Sequence, residues 1–282
     1  MKIKKLLTYS QYVLPTHFLS YLMGKLADAP HPALKNWMIK NFIKRYRVNL
    51  NEAIIKNPLD YPTFNSFFIR QLAPTFRPIA EAENSIVSPV DGTISQIGKI
   101  HQGQLLQAKE MYFSLSTLLN DTSLASLFHE GAYATFYLAP HNYHRVHMPL
   151  RGQLEKTIYL PGKLFSVNRM TSDLIPALYS RNERLITLFN TSAGKMAIIL
   201  VGAMIVGSIQ TVWMQQPIRE KQPAVQHFSN HVILNKGQEL GFFKLGSTVI
   251  LLFEKDKIRW DETFKTHSPI FFGKEIGKFI HD

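Results

Sequence analysis

Residues 242–253 read FFKLGSTVILLF, a run of Phe, Leu, Val and Ile broken at its middle by Gly246 and Ser247. Glycine weakens a strand interior and a hydroxyl is costly in apolar surroundings, so the pair calls for a chemical reason. Elsewhere the chain offers Asp91, in SPVDGTIS, and three of its eleven histidines, His141, His144 and His147, in HNYHRVH. An acid, an imidazole and a serine together are what the activation of a hydroxyl nucleophile requires. Ser247 lacks the G-x-S-x-G elbow of a hydrolase. The preceding Gly246 suggests instead the carbonyl of its own peptide bond as the target, because glycine can turn that carbonyl toward the hydroxyl at little steric cost.

Each position also has a plainer reading on its own. Asp91-Gly92 suits a tight hairpin turn, and Ser247 a tolerated strand serine. The histidines read as surface or core residues, or as metal ligands. Three-residue spacing aligns all three only on a 3₁₀ turn, whereas Val146, Met148 and Pro149 favour an extended chain that points His144 and His147 to opposite faces. A metallohydrolase built on His141, His144 and Asp91 is one rival function, and a nucleic-acid binder using a basic front end is another. Neither explains the Gly-Ser interruption, and neither a metal ion nor nucleic acid is expected as a partner.

Two kinds of element must position these residues. At the front, Ile3, Leu7 and Leu14 share a helical face, Pro15 restarts the helix, and Phe18, Leu22 and Leu26 continue at helical spacing. Residues 33–47 form a second amphipathic segment. Tyr9, Tyr12, Phe18, Tyr21, Trp37, Phe42 and Tyr46 are interleaved with Lys and Arg, as in helices lying at a membrane interface or docked with solvated basic faces. Beyond residue 79 the texture changes to short β-branched and aromatic runs, predicting strands at 85–90, 93–100, 131–139, 153–160, 184–191, 196–209 and 242–253, with 214–227 a polar loop. The expected class is α+β: basic amphipathic N-terminal helices, then a mainly antiparallel β-rich catalytic core. The expected division is a membrane-associating helical region at 1–60 and a catalytic domain at 61–282.

The 282 residues, 45% hydrophobic, suffice for a core without staples, and the absence of cysteine excludes disulfides and thiol nucleophiles. Residues 1–50 hold nine Lys or Arg against the single acid Asp28, so +8 of the net +12 lies there and the other 232 residues carry +4. Such asymmetry points to an anionic partner. The opening MKIKKLL is followed by Thr8, Ser10, Gln11, Tyr12 and Thr16, too polar for a signal peptide, and the longest apolar run, 196–209, is too short to span a bilayer.

LGST at 245–248, YLAPHNYHRVHMP at 137–149, SPVDGTIS at 88–95, YLPGKLFSVN at 159–168, RNERL at 181–185 and VGAMIVGSI at 201–209, with TFNSFFIR and RPI nearer the front, resemble the phosphatidylserine decarboxylases of the bacterial membrane-associated type. The match covers nearly the whole chain, although the 34 residues after Thr248 carry little of it. The resemblance implies a proenzyme that cuts itself between Gly246 and Ser247 into chains 1–246 and 247–282. His147, oriented by Asp91, would take the Ser247 proton while the Ser247 oxygen attacks the Gly246 carbonyl. The amide would be exchanged for an ester, and elimination would then release the Gly246 carboxylate and leave dehydroalanine, which hydrolyses to a covalent pyruvoyl group and ammonia. That group would form a Schiff base with phosphatidylserine, with His144 as proton donor and Ser166 as a substrate contact, yielding phosphatidylethanolamine. The resemblance further implies a heterodimer of the two chains, with or without further dimerisation, attached peripherally to anionic phospholipid on the cytoplasmic face of a bacterial membrane.

Overall fold

In the computed structural model of the chain, which describes residues 5, 8–204, 209–216, 220–229, 232–244 and 247–280, the front is helical. Helix α1 spans Thr16–Ala27 and α2 spans Pro32–Tyr46, the latter with Pro32 in its first turn and Arg47 closing it in the left-handed region. The short α3, Phe64–Phe68, starts on a capping box in which the Thr63 side chain accepts from the Ser66 backbone and Ser66 reciprocates. These helices share a small apolar core of Ala27, Ile39, Val48, Tyr61, Phe64, Phe67 and Phe68. The inward face of α1 is small and polar, Thr16, Ser20 and Ala27, while the helically spaced Phe18, Leu22 and Leu26 lie on its exposed side.

Among the described residues the body is built on a nine-stranded antiparallel sheet. Its order runs Ala224–His227, Gly152–Leu160, Arg184–Thr191, Gly194–Val201, Ser247–Phe253, Ala132–Leu138, Gly92–Lys99 and Pro269–Ile270, with Ile233–Leu234 also paired to Gly152–Leu160. All seven residues of Ser247–Phe253 are buried, which is why that segment reads as a continuous apolar run rather than an alternating one. Thr248 is flanked on both sides, by Val201 and Tyr137, whereas Ser247 is paired only with Leu138.

Four sequence expectations are corrected here. The apolar run 242–253 is two strands, not one: Glu239–Phe243 belongs to a three-stranded sheet with Ile209–Thr211 and Arg145–His147, and Ser247–Phe253 to the large sheet. The run 196–209 divides between the same two sheets, as Gly194–Val201 and Ile209–Thr211. Val201 lies opposite Thr248 in the large sheet and Ile209 opposite Phe243 in the smaller one, so the same two segments are neighbours in both sheets. Asp91-Gly92 turns no hairpin, because Ser85–Val87 pairs with Glu275–Phe279 while Gly92–Lys99 pairs with Ala132–Leu138. Gly92 is required by close approach: a Cβ there would lie 2.4 Å from the Tyr137 carbonyl oxygen. Finally, the end of the polar segment 214–227 is an edge strand, Ala224–His227.

Candidate active site

Asp91 lies in the bend that carries the chain from the Ser85–Val87 strand into the large sheet, and it is 3% exposed. Its carboxylate accepts from Arg77 Nη2 at 2.6 Å and from Arg77 Nε at 3.0 and 3.1 Å, and from the Phe272 backbone N–H at 2.8 Å. Arg77 also donates to Glu52 at 2.7 Å, so one guanidinium joins two carboxylates from distant parts of the chain. Phe272 connects Asp91 to the next site residue, for its ring stacks on the His147 imidazole with centroids 3.7 Å apart.

His147 closes the strand Arg145–His147, so HRVH is extended, as Val146 and Met148 suggest. Its Nδ1 is 2.9 Å from the Gly237 carbonyl oxygen and its Nε2 is 2.9 Å from the Tyr143 hydroxyl. A carbonyl can only accept, which puts the imidazole proton on Nδ1 and leaves Nε2 as the acceptor of the Tyr143 proton. Burial, reinforced by the Arg145 charge and opposed by the Gly237 bond, holds the His147 pKa down at about 4, so the ring is a neutral base at pH 7. Burial likewise pushes the Tyr143 phenol well above its ordinary value and keeps it a donor.

His144 has different neighbours. Its ring lies on Phe68 of α3 with centroids 4.1 Å apart, and Nδ1 donates to the Asn142 carbonyl at 2.8 Å. Nε2 is sealed from solvent and makes no hydrogen bond among the described residues. Complete burial lowers its pKa to about 3, so His144 is neutral and its Nε2 carries a lone pair. It can deliver a proton only after taking one.

Ser247 is the first residue of its strand, fully buried, with Oγ sealed and without a hydrogen-bond partner among the described residues. Gly246 lies outside the described residues. No hydrogen bond joins Asp91, His147 and Ser247 to one another: Asp91 and His147 meet through Phe272, and His147 Nε2 is on Tyr143. Ser166 is half-buried in the loop after Gly152–Leu160, its N–H donating to Gln11 at 2.8 Å and its Oγ accepting from Asn168 at 2.9 Å, which ties the helical front to the catalytic body. Among the described residues no three His, Asp or Glu side chains converge as metal ligands would.

The sequence reading missed Arg77, Tyr143 and Phe272. Arg77 and Tyr143 stand inside RPI and NYHRVH, and an Arg or Tyr in such a fragment was the available signal. Phe272 stands 181 residues from Asp91 and gave none.

A family model described as phosphatidylserine decarboxylase matches residues 64–278. The chain belongs to the phosphatidylserine decarboxylase family. A second model, described as PSD, matches residues 6–47. Among similar curated proteins, the phosphatidylserine decarboxylase proenzyme of Bordetella avium (strain 197N) is 46% identical over 271 residues, covering 95% of this chain and 92% of that one. The proenzyme of Acinetobacter baumannii (strain ACICU) is 47% identical over 277 residues, 98% of this chain and 97% of its own length. That of Hahella chejuensis (strain KCTC 2396) is 44% identical over 279 residues, 98% and 94%. The family match thus reaches past Thr248 to residue 278 and takes in Phe272.

Proposed function

We propose that the chain cuts itself between Gly246 and Ser247 and that the cut form converts phosphatidylserine to phosphatidylethanolamine and carbon dioxide. The activity, decarboxylation of phosphatidylserine, follows from the family. The observation that carries the self-cutting reading is the Ser247 hydroxyl, sealed and without a partner among the described residues, at the point where the chain passes between two sheets. A buried hydroxyl without a partner is costly in a folded protein and calls for an explanation.

His147 Nε2 exchanges one hydroxyl partner for another, releasing Tyr143 and taking the proton of Ser247, whose oxygen attacks the Gly246 carbonyl. The amide C–N bond breaks as the ester forms, its nitrogen taking the proton from His147; elimination then breaks the ester's bond to the Ser247 Cβ, releasing the Gly246 carboxylate, and water converts the remaining dehydroalanine to the pyruvoyl group and ammonia. General-base assistance of this kind contributes roughly 10²- to 10⁴-fold. Asp91 acts on His147 at one remove, fixing Phe272, whose ring holds the imidazole plane. A pyruvoyl group made from Ser247 suits this enclosed position, and it supplies an electron-accepting carbonyl for the pair released when carbon dioxide departs. His144 Nε2 takes a proton from the substrate ammonium and returns it to the carbon that loses the carboxylate. Ser166 is a headgroup contact.

The two chains stay together as a heterodimer on the cytoplasmic face of the membrane. Phe18 and Trp37 are 63% and 64% exposed on α1 and α2, beside Lys25, Lys40, Lys44 and Arg45. Basic residues near an anionic leaflet contribute about 1 kcal/mol each. Between these helices a cavity of about 410 Å³ is lined by Met23, Trp37, Met38, Phe42, Tyr46 and Phe68, an apolar space suited to an acyl chain and adjoining His144 through Phe68. Among the described residues no helix is long and apolar enough to cross a membrane.

Intact mass spectrometry of purified protein tests the central step. Chains 1–246 and 247–282, the shorter with a blocked N-terminus, are expected; a single full-length mass in active protein would refute it.

A further inference from the structure

A second cavity, of about 320 Å³, opens at the C-terminal end of α2 and is lined by Arg47, Arg70, Arg77, Glu52, Asp91 and His141, with Tyr143 and several neutral residues. Its two acids are already committed, since Arg77 holds Asp91 at 2.6 Å and Glu52 at 2.7 Å. Arg47 and Arg70 have no acid within ion-pair distance among the described residues. Arg70 is only 4% exposed and lies over the Phe67 ring. Its Nη2 donates to the His141 carbonyl at 2.9 Å, but Nε and Nη1 are sealed and meet no acceptor. Burial lowers its pKa, against the opposite pull of Tyr61, Asp91, Glu52 and Tyr143. An unpaired, half-bonded guanidinium at a cavity wall has the chemistry of an oxyanion site.

We propose that Arg70, assisted by Arg47, binds the phosphodiester of the lipid headgroup. This rests on the phosphatidylserine decarboxylase reading above. The substrate carries a carboxylate as well, but that group must shed its charge as carbon dioxide. A buried arginine on it would stabilise the bound substrate more than the transition state and slow the reaction. The phosphodiester keeps its charge throughout, so holding it anchors the substrate without opposing the chemistry. The place is suitable too, because the cavity wall includes His141, Asn142 and Tyr143, the residues leading directly into His144.

The test uses Arg70→Met, Arg70→Lys and Arg47→Gln in the full chain, with phosphatidylserine in mixed micelles. Arg70→Met is expected to raise KM about tenfold or more, by more than it lowers kcat, with Arg70→Lys in between and Arg47→Gln raising KM about threefold. A readout independent of turnover uses the uncut Ser247→Ala chain: calorimetry should detect binding of glycerophosphoethanolamine, a phosphodiester without a carboxylate, and lose it when Arg70→Met is added. Wild-type KM in Arg47→Gln and Arg70→Lys, or calorimetric binding that survives Arg70→Met, would overturn the proposal. Binding by free serine alone would reassign the site to carboxylate, and binding by inorganic phosphate alone would make it a free-anion site; both also overturn it. Failure of the parent reading is separate, appearing as wild-type protein that does not decarboxylate phosphatidylserine at all.

Discussion

Leu251 and Leu22 are the same side chain, yet Leu251 is fully buried at the centre of the nine-stranded sheet and Leu22 is 46% exposed on α1. The difference runs through both regions. Along Ser247–Phe253 even Ser247 and Thr248 are enclosed, so both faces of the strand serve cohesion. Along α1 and α2 the enclosed positions include Thr16, Ser20 and Lys35, the last donating to the Leu59 carbonyl at 2.8 Å, while Phe18, Tyr21, Trp37 and Tyr46 are exposed and Phe42 packs inward. A helix that turns its apolar side away from its own protein has another medium to contact. Of the candidate site residues the nine-stranded sheet holds Ser247, while His147 lies on the three-stranded sheet.

The largest effect should come from one oxygen atom in the sheet. Ser247→Ala is expected to leave a single uncut chain with no detectable decarboxylation, read by denaturing gel and by product lipid; processing that persists would break the assignment of chemistry to this strand. Next, Leu251→Ala should cost about 2–5 kcal/mol in chemical denaturation, whereas Phe18→Ser with Trp37→Ser should leave stability within about 0.5 kcal/mol yet sharply reduce flotation with anionic liposomes. Equal stability losses in the two regions would erase the contrast.

Within the site, His147→Ala should accumulate uncut chain, while His144→Ala should cut and then turn over phosphatidylserine poorly, by roughly 10²-fold or more. Equal loss of cutting in both would show that the rings serve one network, despite their separate stacking on Phe272 and Phe68. A smaller change is expected from Tyr143→Phe, which removes the hydroxyl occupying His147 Nε2. A hydrogen bond of about 0.5–1.5 kcal/mol corresponds to roughly 2- to 10-fold faster cutting, and a slower cut would mean that Tyr143 relays the proton instead.

The smallest effect concerns pH. Both buried histidines have folded pKa values, about 3 and about 4, below the ordinary 6.5, so protonation favours the unfolded chain. Their contribution to stability is therefore full above about 6.5 and declines as pH falls below it toward the folded values. Cutting should likewise hold its rate down to about pH 5; a rate halved near 6.5 would mean that His147 is solvated when it acts.

The class of fold, the helical front and five strands lying close to their expected ranges were legible because apolar periodicity reports burial directly. What failed were the local signals with distant causes. Asp91-Gly92 looks like a hairpin, but Asp91 is there for Arg77 and Phe272, and Gly92 for the Tyr137 carbonyl. The runs 196–209 and 242–253 each look like one strand because apolar composition does not change when a chain leaves one sheet for another. By residue type the sequence offers Asp91, His147 and Ser247 as candidates. Their surroundings were not legible, since the turn holding Phe272 comes from the far end of the chain to stack on the His147 imidazole that Tyr143 also meets.

The Ser247–Phe253 strand is laced between Gly194–Val201 and Ala132–Leu138, while Glu275–Phe279 of the same 36-residue tail pairs with Ser85–Val87. A break in the backbone ahead of Ser247 would therefore free nothing: the tail would remain woven into two sheets, and its escape would require tearing out the middle of the larger one. Cutting would be almost silent while the protein stays folded and decisive once it does not, because a connected chain that unfolds keeps its central strand tethered at hand, whereas a severed one must recapture it from solution. Such a molecule would fold once as a single thread and persist afterwards by the slowness of its unravelling, its durability a matter of rate rather than of equilibrium.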